Sequence, residues 1–409
     1  MMEQREKLSF REIIRNRPFA TLVIAQVTSN FGDWLSILAL FSLIAFHTQG
    51  SATAVSGVVI ALTIPIAVVG PLAGVLVDRW DLKRTMVTSD IIRAMLVMLL
   101  PFTQNLFGIY LLIFALSLVS VFFSPAQTSA LALIVKKEQL LVANALITQM
   151  TQLNRIISPA IAGALVGWYG ERICFYIDSL TFIGSAILLS TIALRRELPE
   201  CRMGIKSIIE DLISGVKFVL SHQRIRFVIV FMTVAILASA AVDALSPIYI
   251  RDLLKGGARL LGLLMSCVAA GTIIGAVLIA RYGHSFDKVP LLLVGTLGIG
   301  IGVLLLATTT RDILAMVVGF ALGLVVAFVT VPSQTLIQQE TPQSLLGRVA
   351  SLLNLALTSS QLVSLVMAGL ITDRTGVRSF YYGAGLMLML VTIVGHSYYM
   401  KIKRLTQAR

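Results

Sequence analysis

The stretch Ser124-Pro125-Ala126-Gln127-Thr128 returns as Val331-Pro332-Ser333-Gln334-Thr335, 207 residues further along the chain. Both copies lie in long apolar runs, and glycines and aromatic residues repeat at nearly the same spacing. These further matches place Gly163, Gly170 and Phe175 opposite Gly369, Gly376 and Tyr381. The repeat predicts a duplicated bundle, in which two halves of similar length are each built from hydrophobic spans.

The composition supports a membrane protein. Hydrophobic residues make up 57% of the chain, charged residues 13%, and the mean hydropathy is +0.90, which excludes a set of soluble domains. Apolar runs long enough to cross a hydrocarbon core recur without the alternation of a membrane β-barrel. We therefore predict an all-α membrane protein with twelve transmembrane helices in two pseudo-symmetric six-helix halves. The predicted spans are 19–46, 52–76, 85–103, 107–133, 141–167, 171–194, 225–249, 259–281, 290–308, 312–336, 345–371 and 378–400.

The polar segments suggest how the chain is divided. A basic N-terminal segment precedes the first span, and the longest polar segment, between the sixth and seventh spans, carries apolar residues at helical spacing over 205–220. We expect a cytoplasmic N-terminal segment (1–18), a first six-helix half (19–194), a cytoplasmic linker with an amphipathic helix (195–224), a second half (225–400) and a cytoplasmic tail (401–409).

The basic residues follow membrane topology. A net charge of +13 could suit nucleic acid, but about 24 of the 33 Lys and Arg fall on one side of the predicted membrane and about 7 on the other. This asymmetry predicts N-in, C-in orientation in a bacterial-type cytoplasmic (inner) membrane, with no nucleic-acid partner. The first eighteen residues lack the pattern of a cleavable signal peptide. Cys174, Cys201 and Cys267 have no metal-like spacing, so we expect no metal and no disulfide.

The loop between the second and third spans reads GVLVDRWDLKR over 74–84. It resembles the signature loop of the major facilitator superfamily, G-x-x-x-D-[RK]-x-G-[RK]-[RK], although Asp81 replaces the usual second glycine. The resemblance implies a conformational latch, whereas the plain alternative is a hairpin that only sets topology. The latch would consist of Gly74, Asp78, Arg79, Lys83 and Arg84.

The fifth span contains Ser158-Pro159-Ala160-Ile161-Ala162-Gly163, which is similar to the G-P-x-x-G-G element of the antiporter branches of that superfamily. The resemblance implies export rather than uptake. Ser158 and Ala162 replace glycines of the element, and the second half lacks the proline. The alternative is an ordinary packing seam of small residues.

Charged residues inside the spans are candidates for proton coupling. A charge at the bilayer centre costs about 2.5–3.5 kcal/mol or more, and is usually tolerated in a cavity or in a pair. An aspartate in apolar surroundings favours its protonated form, which suits exchange with protons. The alternative is a permanent ion pair that locks helices together. We expect Asp90 and Arg93, three residues apart near the inner end of the third span, to form a structural pair. The coupling candidates are Asp33, Arg155, Asp243 and Asp178.

Polar, aromatic and methionine side chains on the same spans could line a cavity for an amphipathic molecule. The alternative for the aromatic and methionine residues is packing. For the two glutamines after Pro125 and Pro332, the alternative is a hydrogen bond to backbone that the proline leaves unpaired. The candidates are Gln26, Asn30, Phe31, Trp34, Gln127, Met150, Gln152 and Gln334.

Asn30-Phe31-Gly32-Asp33 and Ser124-Pro125-Ala126-Gln127 add to the likeness, and the chain resembles the drug:proton antiporter group that includes macrolide-efflux and enterobactin-exporter-type proteins. The resemblance implies a secondary active exporter of amphipathic small molecules by alternating access and proton antiport. Its partners would be the substrate, protons and membrane lipid, with the chain as a monomer. The alternatives are a lysophospholipid or other lipid transporter of the same fold, and a non-transporting receptor or scaffold. The chain has no Walker loop, catalytic triad or dinucleotide fingerprint, so we expect neither an enzyme nor a cofactor.

Overall fold

The computed structural model describes residues 13, 15–194, 214, 216–283 and 286–407 of the 409. The predicted N-terminal segment and the predicted amphipathic linker helix therefore lie mostly outside the described residues, as does Cys201. Across the described residues, twelve helices of 18 residues or more follow one another, and no strand occurs among them. The prediction of an all-α fold is confirmed. The helices are α1 Arg17–Ser42, α2 Ala52–Val77, α3 Leu82–Leu99, α4 Leu106–Ile134, α5 Leu140–Tyr169, α6 Glu171–Ser190, α7 Gln223–Ala244, α8 Ala258–Tyr282, α9 Lys288–Thr308, α10 Asp312–Glu340, α11 Gln343–Thr375 and α12 Val377–Gln407.

Eleven of the twelve are long and apolar enough to cross a membrane, as judged over the described part of the chain. The exception is α5, which is 30 residues long but carries Gln149, Gln152, Asn154 and Arg155 within two turns. Apolarity therefore identifies eleven spans, and α5 differs from the others because of these four polar residues.

The third helix begins earlier than the sequence pattern predicts. Its first residue is Leu82 because Asp81 caps it: the Asp81 carboxylate accepts a hydrogen bond from the backbone N–H of Arg84 at 2.7 Å. The Asp81 backbone is extended (φ −68°), so the turn needs no glycine there. This explains how the loop tolerates an aspartate where the signature has its second glycine.

The chain separates into two compact units. Unit 1 holds the described residues of Met1–Leu43 and Ala61–Arg202, and unit 2 those of Ile44–Ile60 and Met203–Arg409. Four helix pairings of unit 1 have counterparts in unit 2. In unit 1, α1 packs on α5 and α6, and α3 packs on α4 and α6; in unit 2, α7 packs on α11 and α12, and α9 packs on α10 and α12.

Individual residues of the sequence repeat also keep equivalent places. Gly170 ends α5 and Gly376 ends α11, both with a positive φ, 80° and 82°, that favours glycine. Five residues later, Phe175 and Tyr381 are each 1% exposed. The repeated letters thus mark repeated structure.

One segment groups differently in space and in sequence. Ile44–Ile60 belongs by sequence to the first repeat, yet it packs within unit 2. It contains the link between α1 and α2 together with the first two turns of α2.

Candidate functional site

Helices α1 and α6 approach closely at Gly32. A Cβ atom added there would overlap the hydroxyl of Thr181 and the carboxylate of Asp178. Close approach of two helices at a small residue is a common way to build a tight crossing in membrane proteins. The crossing places Asp33, the next residue of α1, close to the buried acid of α6.

The carboxylate of Asp178 is held by hydroxyl groups. Asp178 is 1% exposed, and one of its oxygens accepts a hydrogen bond from Ser36 on α1. The other oxygen accepts from Thr181 at 3.3 Å, while the same hydroxyl donates to the Asp178 carbonyl at 2.7 Å. These bonds fix the acid in position without supplying a positive charge.

The cation of this region is Arg93 on α3. It forms an ion pair with Asp90 one turn earlier, and both residues are buried. The guanidinium carbon lies 4.4 Å from the ring centroid of Phe123 on α4 and 4.4 Å from that of Phe182 on α6. Two aromatic faces therefore stabilise a charge that lipid would not. The predicted Asp90–Arg93 pair is confirmed, and it lies in the middle of α3.

These groups form one electrostatic unit, which we call the buried charge cluster: Asp33, Asp90, Arg93 and Asp178. Asp33 is half-buried and interacts with Arg93 and Asp90, while Asp178 interacts with Asp33 and Arg93. The cluster holds three carboxyl groups and one guanidinium, so full ionisation would leave two uncompensated negative charges. A buried site of this kind is able to bind and release protons.

Of the four predicted coupling residues, the structure brings Asp33 and Asp178 together. Arg155, on α5, has an exposed side chain, and Asp243, in the last turn of α7, is also exposed and lies in unit 2. The cation that interacts with Asp33 is Arg93 of α3, not Arg155. An arginine in the third apolar span, with an acid three residues before it, was the signal that could have pointed to this role.

Two of the predicted cavity residues contact each other. The side-chain amide of Gln127 on α4 donates a hydrogen bond to the side-chain oxygen of Gln26 on α1. Asn154 on α5 donates to the carbonyl of Val27 at 2.7 Å, one residue further along α1. Gln127 is thus engaged with a side chain rather than with backbone near Pro125. The remaining candidates of unit 1 are half-buried, whereas Gln334 of unit 2 is exposed; the half-buried ones are Asn30, Phe31, Trp34, Met150 and Gln152.

The other two sequence elements have contrasting surroundings. The antiporter-type element lies buried within α5, with Pro159 inside an unbroken helix. Of the latch residues, Gly74 ends up half-buried in the last turn of α2, and Lys83 is half-buried at the start of α3. The charged side chains of Asp78, Arg79 and Arg84 are exposed. Among the described residues, no group of three His, Cys, Asp or Glu side chains could hold a metal ion.

The helix crossing leads to a stability prediction. We expect Gly32→Ala to lower the free energy of unfolding by about 1–3 kcal/mol, because the added methyl group must displace Asp178 or Thr181. Thermal unfolding in detergent would measure the change. Gly184→Ala is the matched control on α6, since a Cβ there meets no atom within 4 Å. An equal effect of both substitutions would contradict the close crossing.

The chain is similar to known membrane transporters in sequence and in fold. The family described as transmembrane secretion effector matches residues 12–408. The chain is 26% identical to the uncharacterized MFS-type transporter YfiS of Bacillus subtilis, covering 94% of this chain and 95% of that protein. It is 24% identical to macrolide efflux protein A of Streptococcus pyogenes, covering 92% and 94%. The crystal structure of a nucleoside transporter, NupG, superposes with a TM-score of 0.78 at 12% identity, covering 93% and 99%.

Proposed function

Because this chain belongs to the transmembrane secretion effector family of the major facilitator superfamily, we propose that it exports amphipathic small molecules by proton antiport. The predictions of a multi-pass transporter and of a protein that is not an enzyme are confirmed by the family and its relatives. Export, the coupling ion and the class of substrate are the proposal.

The observation that carries the proposal is the buried charge cluster. The cluster holds three carboxyl groups but a single guanidinium, which pairs with Asp90, and an unpaired buried charge is costly. Bound protons remove that cost. Asp33 is the carboxyl group that would exchange its proton, because it is half-buried while Asp90 and Asp178 are almost wholly covered. Arg155 and Asp243 remain secondary candidates, as ionisable groups on transmembrane helices outside the cluster.

Polar and apolar side chains of unit 1 support an amphipathic substrate. The Gln26–Gln127 pair offers amide groups, and Phe31, Trp34 and Met150 add half-buried apolar surface. Mixed polar and apolar lining is what an amphipathic molecule needs, and methionine adapts its shape easily. A macrolide efflux protein among the relatives is consistent with such a substrate.

The positions of the basic residues support the orientation that we propose, with both termini on the cytoplasmic side of the inner membrane. The loop at Asp78–Arg84 would then be cytoplasmic, where the resemblance to the superfamily signature assigns it a latch role. We propose a monomer, because each unit repeats the same helix pairings within one chain. No transport step in this proposal requires a second subunit.

Alternating access requires contacts that can open, and the segment Ile44–Ile60 has such contacts within unit 2. The carboxylate of Asp373, near the end of α11, accepts hydrogen bonds from the backbone N–H groups of Ala52 at 2.7 Å and Thr53 at 3.2 Å. Arg251 donates to the carbonyls of Ala45 at 3.0 Å and Gly50 at 2.7 Å. Since this segment belongs by sequence to the first repeat, these anchors must release if the two repeats separate there.

We expect Asp373→Ala to loosen this anchor, because it removes the acceptor at the N-terminus of α2, a contact worth about 1 kcal/mol. Ala54→Cys in a background without native cysteines reports the change. Because Ala54 is 7% exposed, a thiol at this position should react slowly until the segment loosens. Labelling by a membrane-impermeant maleimide should accelerate by about fivefold. Asp312→Ala is the control, as an exposed acid of unit 2. Unchanged labelling would show that Asp373 does not hold the segment.

Transport in proteoliposomes tests the function directly. The panel contains macrolides and other amphipathic drugs, siderophores and lysophospholipids, each with and without a pH gradient. We expect gradient-dependent movement of at least one amphipathic drug or siderophore. Movement of lysophospholipid alone would favour a lipid transporter of the same fold, and movement that ignores the pH gradient would overturn proton antiport.

A further inference from the structure

A groove of about 600 Å³ runs along unit 1 between α3 and α4, beginning at the turn that precedes α3. None of the residues that line it belongs to the buried charge cluster. Its two ends differ in chemistry. The lining residues are Arg79, Trp80, Asp81, Arg84, Thr85, Thr88, Ser89, Ile92, Leu118, Val119 and Phe122.

The end nearest the turn is positively charged. Arg79 and Arg84 are exposed, and neither makes an ion pair with another described residue. The carboxylate of Asp81 is already bonded to the backbone N–H of Arg84, where it caps α3. Thr85 and Thr88 donate their hydroxyl protons to backbone carbonyls at 2.8 and 2.7 Å. The charged donors that remain for a ligand are the two guanidinium groups, which suit a phosphate.

The other end is apolar. The Trp80 ring contacts the Phe122 ring with centroids 5.3 Å apart, and the groove continues to Ile92, Leu118 and Val119. Eight residues of α3 separate Arg84 from Ile92, a rise of about 12 Å. That distance takes a bound molecule from the surface of the hydrocarbon core well toward its middle. A tryptophan where the two regions meet is typical of the membrane interface.

A second groove on unit 1 provides a comparison. It has a volume of about 440 Å³ and lies between α3 and α6. Its lining contains no charged residue, and among its eight residues the polar ones are Tyr176 and Ser179. Lipid tails can fill such a groove without regard to headgroup. The groove between α3 and α4 differs because its basic end favours a negatively charged headgroup.

We infer that the groove between α3 and α4 is a binding site for an anionic phospholipid of the cytoplasmic leaflet. Its phosphate lies between Arg79 and Arg84, and one acyl chain follows Phe122 and Leu118 toward Ile92. The leaflet follows from the proposed orientation, but binding itself does not depend on export or proton coupling. Each guanidinium near the membrane surface contributes about a fivefold preference for an anionic headgroup.

Trp80 allows a direct test, because it lies within the groove. The full chain with Trp34→Phe and Trp168→Phe keeps Trp80 as its one tryptophan. In nanodiscs, phosphatidylglycerol brominated on its acyl chains should quench the fluorescence of Trp80. The mole fraction that it needs should be lower than that of brominated phosphatidylcholine by about fivefold or more. Arg79→Gln and Arg84→Gln should each reduce that preference about fivefold.

Lys83→Gln is the matched control, since Lys83 carries the same charge in the same loop but does not line the groove. The Lys83→Gln variant should keep a preference for phosphatidylglycerol close to that of the parent. Equal quenching by the two lipids in the parent would overturn the site. An equal loss with Lys83→Gln would also overturn it, because it would show general attraction to the loop. Relief of quenching by inorganic phosphate would show that the basic end binds a free anion rather than a lipid.

Discussion

Replacing Asp33 by asparagine is expected to abolish transport driven by a pH gradient. Asparagine has the shape of the protonated acid but does not release a proton, so the cluster would stay in one protonation state through the cycle. Gradient-driven accumulation in proteoliposomes should fall to the level of protein-free vesicles. Exchange of labelled for unlabelled substrate without a gradient should persist, because that half-cycle needs no change of protonation.

Glu138→Gln is the control for this substitution, because it makes the same chemical change at an exposed position outside the helices of the cluster. It should transport as the parent does. Asp178→Asn offers a second comparison, since the side chain can still bond Ser36 and Thr181 while the negative charge beside Asp33 is removed. We expect Asp178→Asn to shift the pH dependence of transport. Full gradient-driven transport by Asp33→Asn would refute the coupling role of Asp33.

Much of the fold could be predicted from residue patterns, because the membrane imposes simple requirements on length and polarity. The sequence predicted all twelve long helices, and most helix ends fall within a few residues of the predicted ones, although α5 is less apolar than the other eleven. Gly170 and Gly376 correctly marked the repeat. The start of α3 was misplaced because a cap, rather than hydropathy, decides it. The unusual character of α5 follows from polar residues on a helix that packs against α1 and α6.

The candidate site was predictable only in part. Asp33 and Asp178 stood out as acids within apolar spans, whereas their meeting depends on a crossing at Gly32 that no short motif encodes. The cation was harder to assign, since Arg93 and Arg155 are both arginines within spans. The choice depends on Phe123 and Phe182, two rings from different helices that enclose Arg93. Likewise, the bond from Ala52 to Asp373 joins residues 321 positions apart, beyond the reach of a local pattern.

The second large effect is expected at the Asp90–Arg93 pair. Arg93→Leu should lower the free energy of unfolding by about 3–5 kcal/mol, because it leaves Asp90 buried without its partner. Adding Asp90→Leu should restore most of that stability, since two apolar side chains can replace a buried ion pair at little cost. Thermal unfolding in detergent of the two single variants and the double variant measures this cycle.

The double variant also separates the two roles of Arg93. If Arg93 only held α3 in place, the stable double variant would couple transport to protons as the parent does. Our proposal predicts the opposite, because removing the guanidinium leaves Asp33 and Asp178 without a cation to offset a buried negative charge. A folded double variant should therefore exchange substrate without accumulating it. Normal gradient-driven transport by that variant would show that Arg93 has a structural role alone. Arg155 would then be the candidate for the coupling cation.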